Sequence, residues 1–244
     1  MKKLLFSLFT LVIAFSGCNQ NKNAKTIGDR NTADSMNIKY AKGFKVTSSE
    51  NYKLVDITDP SGESDMHYKY ALLNRGSSKE GIPADYQIIE IPVRSVICMT
   101  TLQLSNFIKL KALDKVVGIT STRFLFNEQM NKQLKEGKTS KIGIEGEFDN
   151  EAILALNPDI ILVSPFKKGG YDAIRNLDIP LISFLGYKES SPLGQAEWIK
   201  FIAMLLGIEE QANKQFDDIE NKYNKLKVLS ASVSERPTVL SGQL

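Results

Sequence analysis

Histidine is nearly missing from this chain: one in 244 residues, His67, beside two cysteines and one tryptophan. A single imidazole cannot build a histidine cluster for zinc, and it makes a Ser-His-Asp triad an unsupported expectation. Two cysteines, Cys18 and Cys98, cannot form a disulfide framework. No GxGxxG follows a strand-like run and no Walker loop occurs, so the common phosphate cradles are absent. The net charge of +3 is scattered, with no block of basic residues, which removes the usual footprint of a nucleic-acid binder. Within the chain's body no apolar run reaches the ~20 residues that a membrane helix needs.

What the chain does contain is 42% hydrophobic and 24% charged residues, a balance that supports one large domain or two small ones. The N-terminus is the most legible part. Lys2 and Lys3 precede an apolar stretch, Leu4 to Phe15, and the small residues Ser16 and Gly17 stand directly before Cys18. That is an export signal over residues 1–17, too short to span a bilayer. The Cys after the small pair resembles a bacterial lipobox, in which Cys18 carries lipid and becomes the mature N-terminus. The alternative is an ordinary cleaved signal with Cys18 incidental. Cys98, alone in the apolar run "SVICM", reads as a small core residue rather than a nucleophile.

Residues 18–38 are polar, rich in Asn and Lys, and read as a flexible tether. Three β-rich runs follow, "NYKLVDIT", "HYKYALL" and "YQIIEIP", and predict an antiparallel β decoration that includes His67. Beyond Pro92, strand-like runs alternate with short helical ones: "RSVICM", "TLQLSNFIKLKAL", "KVVGIT", "FNEQMNKQLKEG", "KIGI", then a helix over 149–156, a strand over 160–164, and "IPLISFLG". This alternation predicts an α/β lobe over residues 39–206 with a Rossmann-like, mostly parallel sheet. In that reading Pro158 stops the 149–156 helix, and the aliphatics Ile160 to Val163 form a central strand covered on both faces. From Gln195 a broadly apolar helix runs to a break at Gly207. A long helix over 207–230 follows, with Ile208, Ala212, Phe216, Ile219, Tyr223 and Leu226 on one stripe.

Ligands of parallel α/β sheets meet the loops at the carboxyl ends of the strands. Those loops offer Thr100, Arg123, Phe124, Glu145, Ser164, Phe166 and Tyr187 as candidate ligand contacts. A guanidinium among aromatic rings suits a planar or chelated anion. Glu145 and Glu147 share a loop and are the only hint of paired-carboxylate hydrolysis, but acidic loop residues are ordinarily just solvated. No catalytic residue, cofactor or metal site is expected.

Four stretches carry a resemblance: "VRSVICMTTLQLSNFIKLKALDKVVGITS", "KIGIEGEFDNEAILALNPDIILVS", "IPLISFL" and "SPLGQAEWIKFIAMLLGIEEQANKQFDDIENKYNKL". The chain resembles the class III substrate-binding lipoproteins of ABC importers, which bind ferric siderophores, haem and cobalamin. The resemblance implies two α/β lobes joined by a long helix, matched here by residues 208–229, with residues 236–244 beginning a second lobe otherwise absent. It also implies exposed apolar surface on that helix and a weakened cleft in this chain. The function implied is capture of an iron chelate (siderophore or haem) or a cobamide for an ABC permease, without catalysis. Glu151, in the first turn of the 149–156 helix, takes the position that docks on a permease arginine. The localisation implied is periplasmic and lipid-anchored, in a Gram-negative and Bacteroidetes-like source. A surface adhesion or scaffold lipoprotein on the same fold is the alternative of a different class.

Overall fold

The computed structural model describes residues 36–120, 122, 125–144, 146–165 and 171–238. The signal peptide, Cys18 and the tether up to residue 35 lie outside the described residues, as do Arg123, Phe124, Glu145, Phe166 and residues 239–244.

The described chain opens with a four-stranded sheet in the order β1-β2-β3-β4: Phe44–Ser48, Tyr52–Thr58, His67–Asn74 and Gln87–Ile91. The first three strands pair antiparallel, whereas β4 lies parallel to β3, unlike the antiparallel decoration expected from its sequence. The alternation of this sheet sends Val55, Ile57, Tyr70, Leu72 and Ile89 into the main core, so it shares its apolar face with the lobe that follows.

The second sheet is parallel throughout, in the order β11-β10-β5-β6-β7. Its strands are β5 (Val96–Cys98), β6 (Val116–Ile119), β7 (Ser140–Lys141), β10 (Ile160–Val163) and β11 (Leu181–Ser183). A small hairpin, β8 (Gly143–Ile144) with β9 (Glu147–Phe148), interrupts the run "KIGI" that reads as one strand in sequence. Gly143 explains the break, since its φ of 93° and the backbone beside it leave no space for a side chain.

Strand β10 shows why four consecutive aliphatics are needed. Ile160 and Leu162 face one core with Val96, Cys98 and Ile182, while Ile161 and Val163 face the other with Ile97, Ile142, Ile153 and Ile174. The first core is closed by α1 (Thr101–Lys109), α5 (Pro192–Leu206) and the start of α6 (Glu209–Ala231). The second is closed by α3 (Asn150–Leu156) and α4 (Asp172–Arg175); the remaining helix, α2 (Glu128–Lys135), buries Met130 in the first. Both faces are therefore dry, as a central parallel strand demands. Cys98 is fully within this core, and burial pushes its thiol up.

Two boundaries differ from the sequence reading. The helix α3 is turned off by Asn157 in the left-handed conformation (φ 43°), a residue that tolerates it, and Pro158 only prevents continuation. The tether is shorter than 18–38, because Met36 is buried and Lys200 Nζ reaches the Asn37 carbonyl at 2.6 Å. Gly207 (φ 68°) separates α5 from α6, as its spacing predicts. The apolar stripe of α6 divides: Ala212 and Phe216 are buried, whereas Tyr223 and Leu226 are exposed, as are Val228 and Leu229 beyond it.

Edge strand β11 is closed by a side chain. Tyr70 Oη donates to the Leu181 carbonyl (3.2 Å) and accepts from Ser183 N–H (2.9 Å), taking the two outward backbone groups a further strand would use.

Candidate functional site

Strand order reverses between β5 and β10, where the crevice at the carboxyl ends of an open α/β sheet receives ligands. Thr100 follows β5 and caps α1, its extended backbone (φ −141°, ψ 153°) presenting the hydroxyl to Gln103 N–H. Gln103 completes a capping box by accepting from Thr100 N–H at 3.2 Å. Its amide then donates to Ser164 Oγ at 3.0 Å, inside the protein. Thr100, Gln103 and Ser164 thus form one hydrogen-bonded set across the switch point. The Ser164 backbone is fixed as well, with N–H donating to Tyr171 Oη (3.3 Å) and the carbonyl accepting from it (3.2 Å). Tyr171 lies stacked on Phe148, ring centroids 6.0 Å apart. Thr120 Oγ1 donates to the Met99 carbonyl at 2.8 Å, tying β6 to β5 at the same end.

This set is a rigid floor rather than a ligand-facing one. Gln103 and Ser164 are both buried, and the Gln103 side chain is bonded at both ends, to Thr100 N–H and to Ser164 Oγ. Two open spaces flank it. A groove of about 330 Å³ takes Leu102, Ser105, Asn106 and Lys109 from α1, then Phe184, Gly186 and Tyr187 from the turn after β11. Gln195 and Ile199 of α5 and Ile219 of α6 complete it. Tyr187 is half-buried there, and burial pushes its phenol up to about 12, with the nearby Asp59 charge acting in the same direction. The groove mixes rings, aliphatics and one cation, the lining expected for an amphipathic or aromatic ligand carrying negative charge.

A second cavity, about 380 Å³, lies between His67, Tyr68, Lys69 and Gln87 of the N-terminal sheet and Val163, Pro165, Tyr171, Arg175 and Ser183 of the lobe. Its two cations already have partners, Lys69 with Asp85 at 2.6 Å and Arg175 with Asp172 at 3.1 Å, and His67 Nε2 meets Asp56 at 3.0 Å. Of the expected ligand contacts, Tyr187 therefore stands in the groove, Thr100 and Ser164 stand in the floor, and Arg123, Phe124, Glu145 and Phe166 lie outside the described residues. Gln103 and Tyr171 escape a reading built on loop positions. The spacing Thr100-x-x-Gln103 before an apolar run is a legible capping signature that points to Gln103, while nothing local marks Tyr171.

Glu151 sits apart from these spaces. It is exposed in the first turn of α3, whose N-cap Asp149 accepts from Ala152 N–H at 2.9 Å. Leu154, on the same face three residues on, is 52% exposed. Glu151 and Leu154 thus form an exposed acidic and apolar pair that makes no contribution to the groove.

Among known proteins, the chain is 25% identical over 272 aligned residues to one uncharacterized lipoprotein of Methanocaldococcus jannaschii, covering 94% of this chain and 63% of that one. A second uncharacterized lipoprotein of the same organism is 23% identical, with 98% and 66% covered. The chain thus spans about two thirds of the length of these relatives. The solved siderophore-binding protein BauB, bound to acinetobactin and ferric iron, is 18% identical, with 59% of this chain and 51% of that one covered at a TM-score of 0.48. Residues 96–244, which hold the parallel sheet, the switch-point floor and both helices after it, match the family described as periplasmic binding protein, and the chain belongs to that family.

Proposed function

We propose that this chain belongs to the solute-capturing component of an ABC importer, that its ligand is an iron chelate (siderophore or haem) or a cobamide, and that it delivers that ligand to a membrane permease. The observation that carries this reading is the groove beside the switch point. It is open, lined by rings and aliphatics with Lys109 as its cation, and carried on the part of the chain that matches the family. The ligand class follows the sequence resemblance to class III lipoproteins, with Tyr187 in the groove and Thr100 and Ser164 in the floor as its supports. Arg123, Phe124, Glu145 and Phe166 belong to the same proposal through their places on neighbouring loops.

Lipid on Cys18 would hold the protein at a membrane outside the cytoplasm, in keeping with the lipoproteins it is similar to. Those relatives are archaeal and lend no support to a Bacteroidetes-like or Gram-negative source. Glu151 is the proposed docking residue for the permease. The test is reconstitution in vesicles with an ABC permease and its ATPase from the source organism. Ligand-loaded protein stimulates ATP hydrolysis, and Glu151→Arg loses that stimulation while still binding ligand. Stimulation that is unaltered in the variant would remove Glu151 from the docking face, and no stimulation by the native protein would refute the importer reading.

A further inference from the structure

The turn that carries Tyr187 (residues 186–188) is held by the segments that flank the first two strands of the N-terminal sheet, Lys42 and Gly43 before β1 and Asp59 after β2. Lys188, next along the chain, sends its ammonium to Asp59, directly after β2. The Asp59 side chain is 0% exposed, and it also accepts from Ser61 N–H (2.9 Å), Ser61 Oγ (2.6 Å) and Ser64 Oγ (2.6 Å). Such a carboxylate has no freedom left, and an ammonium bound to it is held at one point.

Glu189 fixes the other end. Its carboxylate accepts from Lys42 N–H (2.9 Å), Gly43 N–H (2.8 Å) and Trp198 Nε1–H (3.0 Å). The Trp198 ring closes the turn from beneath, so that a Cβ placed on Gly186 would come within 2.9 Å of its Cγ. Residues 186, 188 and 189 are each immobilised, and Tyr187 between them lines the groove. Lys42, Gly43, Asp59, Ser61 and Ser64 all precede residue 96, outside the stretch that matches the family.

We propose that the N-terminal sheet is a splint for the groove, with Asp59 and Glu189 as positioning residues that hold the 186–189 turn and so set where Tyr187 meets a ligand. This inference rests on the groove being the ligand wall. A purely structural role for the same contacts would loosen the whole domain when they are cut, whereas a splint would loosen the turn alone.

Hydrogen exchange on the full chain separates the two. The amides of Lys188 and Glu189 are bonded inside the turn, to Leu185 O (2.9 Å) and Gly186 O (3.3 Å). In Asp59→Asn, and separately in Lys188→Met, their exchange should rise roughly tenfold or more while strand Ile160–Val163 keeps its protection. Unchanged exchange in the turn, or an equal rise in turn and strand, overturns the proposal. A second arm titrates haem, a ferric siderophore panel and cobalamin. Whichever binds the native protein should bind Asp59→Asn roughly tenfold more weakly, and adding Tyr187→Ala to that variant should cost less than Tyr187→Ala alone. Native affinity in a variant whose turn has loosened overturns the splint. If no probe binds the native protein, the importer reading fails instead, and the exchange arm alone decides the splint.

Discussion

Replacing Glu197 with alanine should be among the most damaging single changes outside the apolar core. Glu197 lies on α5, 0% exposed, beneath the chain segment that leads into β1. Its carboxylate accepts from three consecutive backbone amides, Lys39 (2.9 Å), Tyr40 (2.6 Å) and Ala41 (2.8 Å), and from the Lys200 ammonium at 2.7 Å. Lys200 is itself 4% exposed in its side chain, bridges to Asn37 O, and lies 4.4 Å over the Phe216 ring. Alanine leaves this ammonium without its anion and three amides without an acceptor. Breaking a buried pair from one side costs about 3–5 kcal/mol, and the amides, which can turn to water as the segment lifts, add to that only in part. The expected loss is about 3–5 kcal/mol in urea unfolding followed by circular dichroism, with proteolysis at residues 36–43 appearing early. The double variant Glu197→Met, Lys200→Met should recover a large share, because it removes both charges together. A loss below about 1 kcal/mol for Glu197→Ala, or a double variant no better than the single, would show that this buried cluster is not what holds the segment down.

Three further outcomes follow from the same structure. Tyr70→Phe removes two bonds to the β11 edge, so a loss of about 1–3 kcal/mol is expected together with concentration-dependent self-association on gel filtration; a monomer of native stability would refute the edge-blocking role. Burial works against the charge of Glu197, yet Lys200 and three backbone amides hold its carboxyl below the usual range. The stability it contributes should therefore be present above pH ~4.5 and fall as the pH drops below ~4, and Glu197→Gln should flatten that acid limb; an unaltered limb would remove Glu197 from it. Cys18→Ser should move the protein from the membrane fraction to the soluble one, and retention in the membrane would place the anchor elsewhere.

The parallel lobe was legible because its strands are buried on both faces and so appear as unbroken aliphatic runs, Ile160 to Val163 above all. The helix breaks were legible where glycine carries them, as at Gly207, and less so at Asn157, whose left-handed conformation ends α3 one residue before the more conspicuous Pro158. The parallel placement of β4 is a tertiary choice, since Gln87–Ile91 alternates no differently from its antiparallel neighbours. Loop positions led to Tyr187, which lines a groove, because a residue after a parallel strand has few other places to go. They did not tell groove-lining side chains from internally bonded ones: Thr100 and Ser164 satisfy the same rule, but are joined through Gln103. The clamp by Glu189, Glu197 and Asp59 was not legible, because a buried carboxylate looks like a solvated one until its distant partners, Lys42, Ala41 and Lys188 respectively, each more than a hundred residues away, are known.

The most direct test of the account is calorimetric titration of the purified protein with haem, a ferric siderophore panel and cobalamin, run beside Tyr187→Ala. The account predicts saturable binding of one of these ligands at one site per chain, weakened roughly tenfold or more in the variant by loss of the ring from the groove. No heat of binding for any of the three, or binding that Tyr187→Ala leaves untouched, would contradict it.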